Sequence, residues 1–202
     1  ATDRVPTAWI PGILTAVFLG VAAAFGGLEA VAGPSVATLE PGETHTNHAF
    51  DLTVERAVLI DTFPEAGASA DPEEGERVLA VVVTVENRWD RAVSARADTA
   101  VRGSLVAPGL DDPVPWAVAR FDDGTGDPWL QPGLPVQVVV TWVIGGDELA
   151  AGDDLELEIR DFSLQRGQIV FSGEVWSTPV VAARMALPLT DVGAGADAEE
   201  SE

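Results

Sequence analysis

Arg77 to Asn87 reads RVLAVVVTVEN, and this stretch decides the fold class. In an extended chain successive side chains point to opposite faces, so an apolar run of this kind is apolar on both. It predicts a central strand covered on each side. Upstream, Phe50, Leu52 and Val54 alternate with Asp51, Thr53 and Glu55, the period of a half-buried strand. Downstream, Val136 to Ile144 (VQVVVTWVI) is β-branched and aromatic throughout, and Leu155, Leu157 and Ile159 alternate with Glu156, Glu158 and Arg160. Val101 to Val106 and Val114 to Phe121 are weaker strand candidates; Gln168 to Trp176 and Val180 to Leu187 complete the set. Turn chemistry separates them at Asp123-Gly124, Gln131-Pro132-Gly133, Gly145-Gly146-Asp147, Gly152-Asp153 and Arg166-Gly167. No long amphipathic helix intervenes, which argues against parallel βαβ units. The expectation is an all-β, two-layer antiparallel β-sandwich of about seven or eight strands, with Trp142 as its central aromatic.

Further out, the first residues change period. Trp9 to Leu28 (WIPGILTAVFLGVAAAFGGL) carries no charge. Twenty residues at 1.5 Å each would reach roughly 30 Å, the hydrocarbon thickness of a bilayer. Arg4 precedes the segment and no basic residue follows it until Arg56, which favours a cytoplasmic N-terminus. The reading is a retained transmembrane helix at 9–28; a cleaved signal peptide, with Ala30-Val31-Ala32 as its cleavage site, is the rival. The numbering begins at Ala1, as though only an initiator had been trimmed, which favours retention. Leu14, Phe18, Val21, Phe25 and Leu28 form a bulky stripe. Ala16, Gly20, Ala23, Ala24 and Gly27 form a small-residue stripe suited to close packing against other transmembrane helices.

The expected organisation is therefore a short cytoplasmic N-terminus at 1–8, the helix at 9–28, a Gly/Pro linker at 29–47, an extracytoplasmic sandwich at 48–190 and a disordered acidic tail at 191–202.

The stretch Gly75 to Asn87, a long apolar strand ending in Asn, resembles an element of bacterial telokin-like, immunoglobulin-like extracellular domains. The turn Leu130-Gln131-Pro132-Gly133 followed by Val136 to Ile144 is similar to their "L-x-P-G, then buried strand" element. The resemblance covers roughly residues 48–165 and implies an immunoglobulin-like fold on a signal peptide or lipid anchor in Gram-positive bacteria, without an assigned activity. The chain departs from it in lacking any lipobox Cys.

Charge narrows the function. Eleven basic residues, all Arg, stand against 33 acidic ones, a net charge of −22. Such a surface repels phosphate backbones and anionic headgroups, so nucleic acid is a poor partner. With no Cys there is no disulfide framework, thiolate metal site or cysteine nucleophile. The only histidines, His45 and His48, fall at the end of the expected linker, just before the first strand and without a helical pattern, and no G-x-S-x-G elbow or P-loop occurs. Asp122, Asp123 and Asp127, around two glycines, are weak calcium candidates beside the plainer reading of an acidic turn. Trp89, Trp116 and Trp129 are the candidate interface residues, since indoles in loops often anchor contacts.

The expectation is a non-enzymatic, cofactor-free accessory subunit. Its helix and sandwich would meet the other membrane subunits of an envelope complex, such as a transporter or respiratory assembly, covering or bridging its outer face. The alternative is an independent surface domain that binds a cell-wall glycan, cation or protein ligand.

Overall fold

The computed structural model describes residues 10–24, 35–167 and 173–193. The chain separates into two units, Ala1–Ser35 and Val36–Glu202. In the first, α1 spans Ile10–Ala24. Its fifteen residues reach roughly 22 Å. Among the described residues no helix is long and apolar enough to cross a membrane. The ends of the expected span, Trp9 and Phe25 to Leu28, lie outside the described residues, as do 194–202 of the expected tail. Ile13, Leu14, Val17, Phe18, Leu19 and Val21 are all exposed on α1. Its one polar side chain, Thr15, donates from Oγ1 to the Pro11 carbonyl at 2.9 Å, so the hydroxyl is satisfied within the helix.

The second unit is mostly β. Its strands are β1 Ala37–Thr38, β2 Thr44–Thr46, β3 Phe50–Ile60, β4 Glu76–Asn87, β5 Val93–Ser94, β6 Leu105–Val106 and β7 Ala117–Arg120. They continue as β8 Trp129–Leu130, β9 Pro135–Gly145, β10 Asp154–Asp161, β11 Leu164–Gly167, β12 Gly173–Trp176 and β13 Val180–Gly193. Nine of them make one curled, mixed sheet in the order β6-β10-β13-β3-β4-β9-β7, with β1 on β13 and β2 on β3. The curl folds the sheet over itself, so one core holds Leu155, Leu157, Ile159 and Met185 from one limb with Leu52, Val81, Val140 and Trp142 from the other. The sandwich-like layering of the sequence reading is present, but the sheet is not wholly antiparallel: β13 runs parallel to β3, and β1 parallel to β13.

β13 is the reason. Val180 to Pro188 pair antiparallel with β10, and from Leu189 onward the strand pairs with β3 instead. Pro188, which has no N–H to give to a ladder, stands at the handover. Ala183, Met185, Leu187 and Leu189 keep one inward phase across it, so the same strand face serves both limbs of the sheet.

β4 is central, as its two apolar faces predict, between β3 and β9. Leu79, Val81, Val83 and Val85 face the main core. Ala80 lies on the other face with Ala66, Ala119 and Val139, and Val58 and Phe63 pack against that group. Phe63 and Ala66 come from the loop after β3, which folds back over the sheet and hides that face from water. In β3 a bulge between Val54 and Arg56 shifts the alternation, so that Ala57 and Leu59 also point inward.

Three local readings differ. Residues 37–46, with the Pro/Gly pattern of a linker, form the edge strands β1 and β2 of the sheet. Val101–Ser104 is a single helical turn, α2, and only Leu105 and Val106 form strand, on β10. A Cβ at Gly103 would come within 1.8 Å of the Asp98 carbonyl oxygen, so this turn exists because glycine lets two backbones touch. The expected strand across Gln168 to Trp176 is a hairpin of β11 and β12, with 168–172 outside the described residues.

Asn87 is fully buried at the end of β4, and every polar atom of its amide is used. Nδ2 donates to the carbonyls of Arg91 (2.8 Å) and Leu130 (2.9 Å), while Oδ1 accepts from the Trp89 N–H (2.9 Å). Its own carbonyl accepts from Gly133 N–H at 2.7 Å. Replacing Asn87 by Ala leaves the buried Leu130 carbonyl and the part-buried Arg91 carbonyl and Trp89 N–H without this partner, and should cost about 2–3 kcal/mol in urea unfolding.

At the opposite end of β4, Arg77 donates to both carboxylate oxygens of Asp191 (2.7 and 2.6 Å) and to Asp61 (3.1 Å). The guanidinium fork, helped by the Gly193 N–H, lowers the Asp191 carboxyl from 3.8 to about 2. A folded-state value below the unfolded one means the pair stabilises above pH 3.8, and that contribution is lost as pH falls toward 2. Asp191 is about a third exposed, and solvent screens the pair. Asp191→Asn should therefore cost only about 0.5–1 kcal/mol at pH 7, and the gap to the parent should shrink progressively below pH 4 in parallel denaturant titrations.

Candidate functional site

A cleft of about 740 Å³ is lined by Gly67, Ser69, Glu76, Arg102, the run Asp112 to Trp116, Trp142 and Val143. Its floor is the second half of β9, with the Trp142 indole buried in the core and its Nε1 donating to the Pro113 carbonyl at 3.1 Å. Its wall is the Pro113-Val114-Pro115-Trp116 segment, held by Arg102, whose Nε donates to the Pro115 carbonyl at 2.9 Å. Arg102 is in turn paired with Asp98. Trp116 stands 64% exposed at the mouth. The rim is acidic: Glu76 and Asp112 line the cleft, and neither forms an ion pair among the described residues.

The three candidate indoles do not form one patch. Trp89 packs edge-on against Trp176, ring centroids 5.3 Å apart, and the Arg91 guanidinium lies 4.1 Å over its ring. It fastens the β11–β12 hairpin to the body and is half-buried. Trp129, exposed, pairs through its backbone with Ser94 near the start of β9, whereas Trp116 lies at Thr141, toward its end. Trp116 is thus the candidate indole that combines exposure with a cleft.

The acidic turn is a folded local structure. Arg120 hydrogen-bonds Asp122 through Nε and Nη2; that bond holds the Asp122 carboxyl below the ordinary range. Asp123 accepts from the Thr125 N–H at 2.9 Å, which lowers its carboxyl. Asp127, with φ of +50°, pairs with Arg96 at 3.1 Å. Arg120 also approaches Asp123 at 3.7 Å, so all three carboxylates are engaged within the protein, and no group of three potential metal ligands is found among the described residues.

His45 is not a free linker residue. In β2 it lies half-buried, and Nε2 donates to Asp161 Oδ1 at 2.8 Å, joined there by Asn47 Nδ2 at 3.0 Å. These bonds tie the β2 edge to the end of β10. Beside them a second cavity of about 530 Å³ is lined by His48, Ser163 and Ser177 among others. The two serine hydroxyls bond each other at 2.9 Å. No hydroxyl is bonded to either imidazole among the described residues, so the parts of a nucleophile–base pair are not assembled.

On α1, Ala16 and Gly20 of the small-residue stripe are exposed, Ala23 and Ala24 belong to the helix, and Gly27 lies outside the described residues.

Two solved structures are similar. One is an uncharacterized β-sandwich protein from Clostridium difficile 630, with a TM-score of 0.48 and 8% identity over 78% of this chain and 97% of that one. The other is described as a putative lipoprotein from Staphylococcus aureus, with a TM-score of 0.39 and 9% identity over 74% of this chain and 94% of that one. No family model matches the chain, and no curated protein does.

Sequence reading singled out Trp116 but missed its surroundings. Pro113, Pro115, Arg102 and Glu76 become one wall only when α2, β4 and β9 are brought together, and no local pattern marks that. The visible signal was Asp111 to Trp116 (DDPVPW), where Pro113 just before the strand candidate and Pro115 within it announce a break in pairing.

The indoles should separate in a stability assay. Trp89→Ala removes an aromatic pair and a cation–π contact and should cost about 2 kcal/mol. Trp116→Ala, making no ring contact, should stay within about 0.5 kcal/mol of the parent in the same urea titration.

Proposed function

We propose that this chain is a membrane-seated, non-enzymatic accessory subunit whose β-unit meets partner proteins at the outer face of a cell-envelope complex, such as a transporter or respiratory assembly. One observation carries the reading: α1 exposes six large apolar side chains and satisfies its single hydroxyl with its own backbone. A helix of this composition is costly in water and comfortable in lipid or against other helices. Single-pass anchoring, with the N-terminus cytoplasmic and the β-unit outside, further requires residue 9 and residues 25–28 to extend α1 toward about 30 Å. Ala16 and Gly20 would then let a neighbouring helix approach closely.

The β-unit is read as an immunoglobulin-like domain of the telokin-like kind. What supports this is the meeting of the two elements that carry the resemblance: Asn87 ends the long apolar strand and is bonded to Leu130 and Gly133 of the L-x-P-G turn. A free-standing binding domain for a glycan, cation or protein ligand is the second reading, favoured by the open cleft beside Trp116.

Fractionating the native host tests the anchor. The parent chain is expected in membranes after an alkaline carbonate wash, and on a native gel of mild-detergent extract at a mass well above its own 21.1 kDa. A double variant, Leu14→Asp with Phe18→Asp, adds two helix-centre charges costing about 3 kcal/mol each in lipid and should appear in the soluble fraction. A parent chain found in cytosol would overturn the proposal. A parent in membranes but migrating alone would favour the free-standing domain.

A further inference from the structure

We infer that the Trp116 cleft is a docking site for an extended, basic peptide segment of a partner protein, which adds to the edge of β9 at Val143. This deepens the interaction-subunit reading and rests on it only for the partner being a protein.

The ladder between β7 and β9 pairs Ala117 with Thr141, Ala119 with Val139 and, beyond the strand, Phe121 N–H with the Gln137 carbonyl at 3.0 Å. In an antiparallel ladder the residues whose backbone groups point to a given neighbour recur every second position. Gln137, Val139, Thr141, Val143 and Gly145 therefore turn their N–H and C=O groups toward the β7 side. Four of these five are occupied. Gln137 and Val139 are met by the β7 strand and Phe121, and Thr141 accepts from Trp116 N–H at 2.7 Å. Gly145 N–H donates to Glu148 Oε1 at 2.6 Å, and its carbonyl accepts from the Glu148 N–H at 3.1 Å.

Val143 is the exception. Its partner in this register would be Pro115, which has no N–H, and whose carbonyl is already taken by Arg102. The Pro113 carbonyl is likewise taken, by Trp142 Nε1 and by the Ala107 N–H at 2.9 Å. The wall segment bows away from β9, and the wedge it leaves is the cleft. Val143 lines this cleft half-exposed, without a backbone partner on this side among the described residues. Glu148 closes one end of the wedge: its other carboxylate oxygen accepts the Asp111 N–H at 3.0 Å, stapling the wall to the end of β9. Trp116 closes the other end. The opening is one rung of a ladder, with a donor and an acceptor waiting.

Charge complementarity selects the occupant. Asp112 and Glu76 flank the rung, and the arginines that form ion pairs in this unit take other carboxylates. Arg56 lies instead over the Phe121 ring. A visiting segment with one residue paired to Val143 projects its neighbours' side chains alternately to either side. An arginine or lysine there meets Asp112 or Glu76 and can lie on the exposed Trp116 face. An acidic or phosphorylated segment is repelled by the same rim and by the net charge of −22.

The test uses the full chain in detergent and two hexapeptides, one alternating Val and Arg, one alternating Val and Glu. Titration calorimetry and amide NMR of 15N-labelled protein read affinity and site. The Arg peptide should bind, shifting the Val143 amide resonance, and the Glu peptide should not. Trp116→Ala, checked by its melting curve, should weaken binding about 10-fold or more. The pair Glu76→Gln with Asp112→Asn should weaken it and flatten its salt dependence. Absence of Arg-peptide binding would overturn the inference. So would binding that leaves the Val143 amide unmoved and is indifferent to Trp116→Ala, since that is adhesion to an acidic surface. Either result would leave the membrane test of the preceding subsection standing on its own, and failure there would not touch this one.

Discussion

A strand buried on both faces must have every backbone N–H and C=O paired by neighbours, because water reaches it from nowhere. β4 is that strand, and the rest of the β-unit follows from supplying it. It needs a long antiparallel partner on each side, which β3 and β9 provide along its length. It also needs a lid on each face: the main core on one, and on the other the loop after β3, which brings Phe63 and Ala66 over Ala80. The cost of this arrangement is moved outward. β9, at 11 residues, nearly matches the 12 of the strand it serves, but its own outer neighbour β7 has only four residues, so a length of β9 backbone is left to be completed by other means. Trp116 and Glu148 complete most of it; Val143 is what remains.

Three polar side-chain groups tie distant strands of the body together. Asn87 fastens the end of β4 to the turn before β9, Arg77 fastens its beginning to the far end of β13, and His45 with Asn47 fastens β2 to β10. Each sits at a sheet end or edge, where strand pairing alone leaves the chain free to splay. In so acidic a chain the eleven arginines are scarce. Most of those described are spent on such cross-links, which leaves carboxylates elsewhere without counterions. The surface is therefore predisposed toward cationic partners by arithmetic as much as by any single site.

The two units present complementary chemistries. α1 is apolar almost throughout and exposes its side chains, whereas the β-unit gathers most of its apolar residues into a core and exposes carboxylates. No hydroxyl is bonded to an imidazole among the described residues, and the Trp116 cleft is a gap in a ladder beside an indole.

Much of the β-unit was legible in the sequence alone, because burial writes itself into local periodicity. The period-two residues of β3, β4, β9 and β10 and the core position of Trp142 follow from side chains alternating across a pleat. Composition likewise determined the charge, the absence of thiol chemistry and the apolar character of residues 10–24. Pairing was decided only in three dimensions, because hydrogen bonds between strands join residues far apart in the chain and leave no local trace. That is why residues 37–46 passed for a linker, and why β13 could change partners at Pro188 and run parallel to β3 unannounced. It is also why the prolines at 113 and 115 marked a break in the ladder without revealing that Val143 stood across from it.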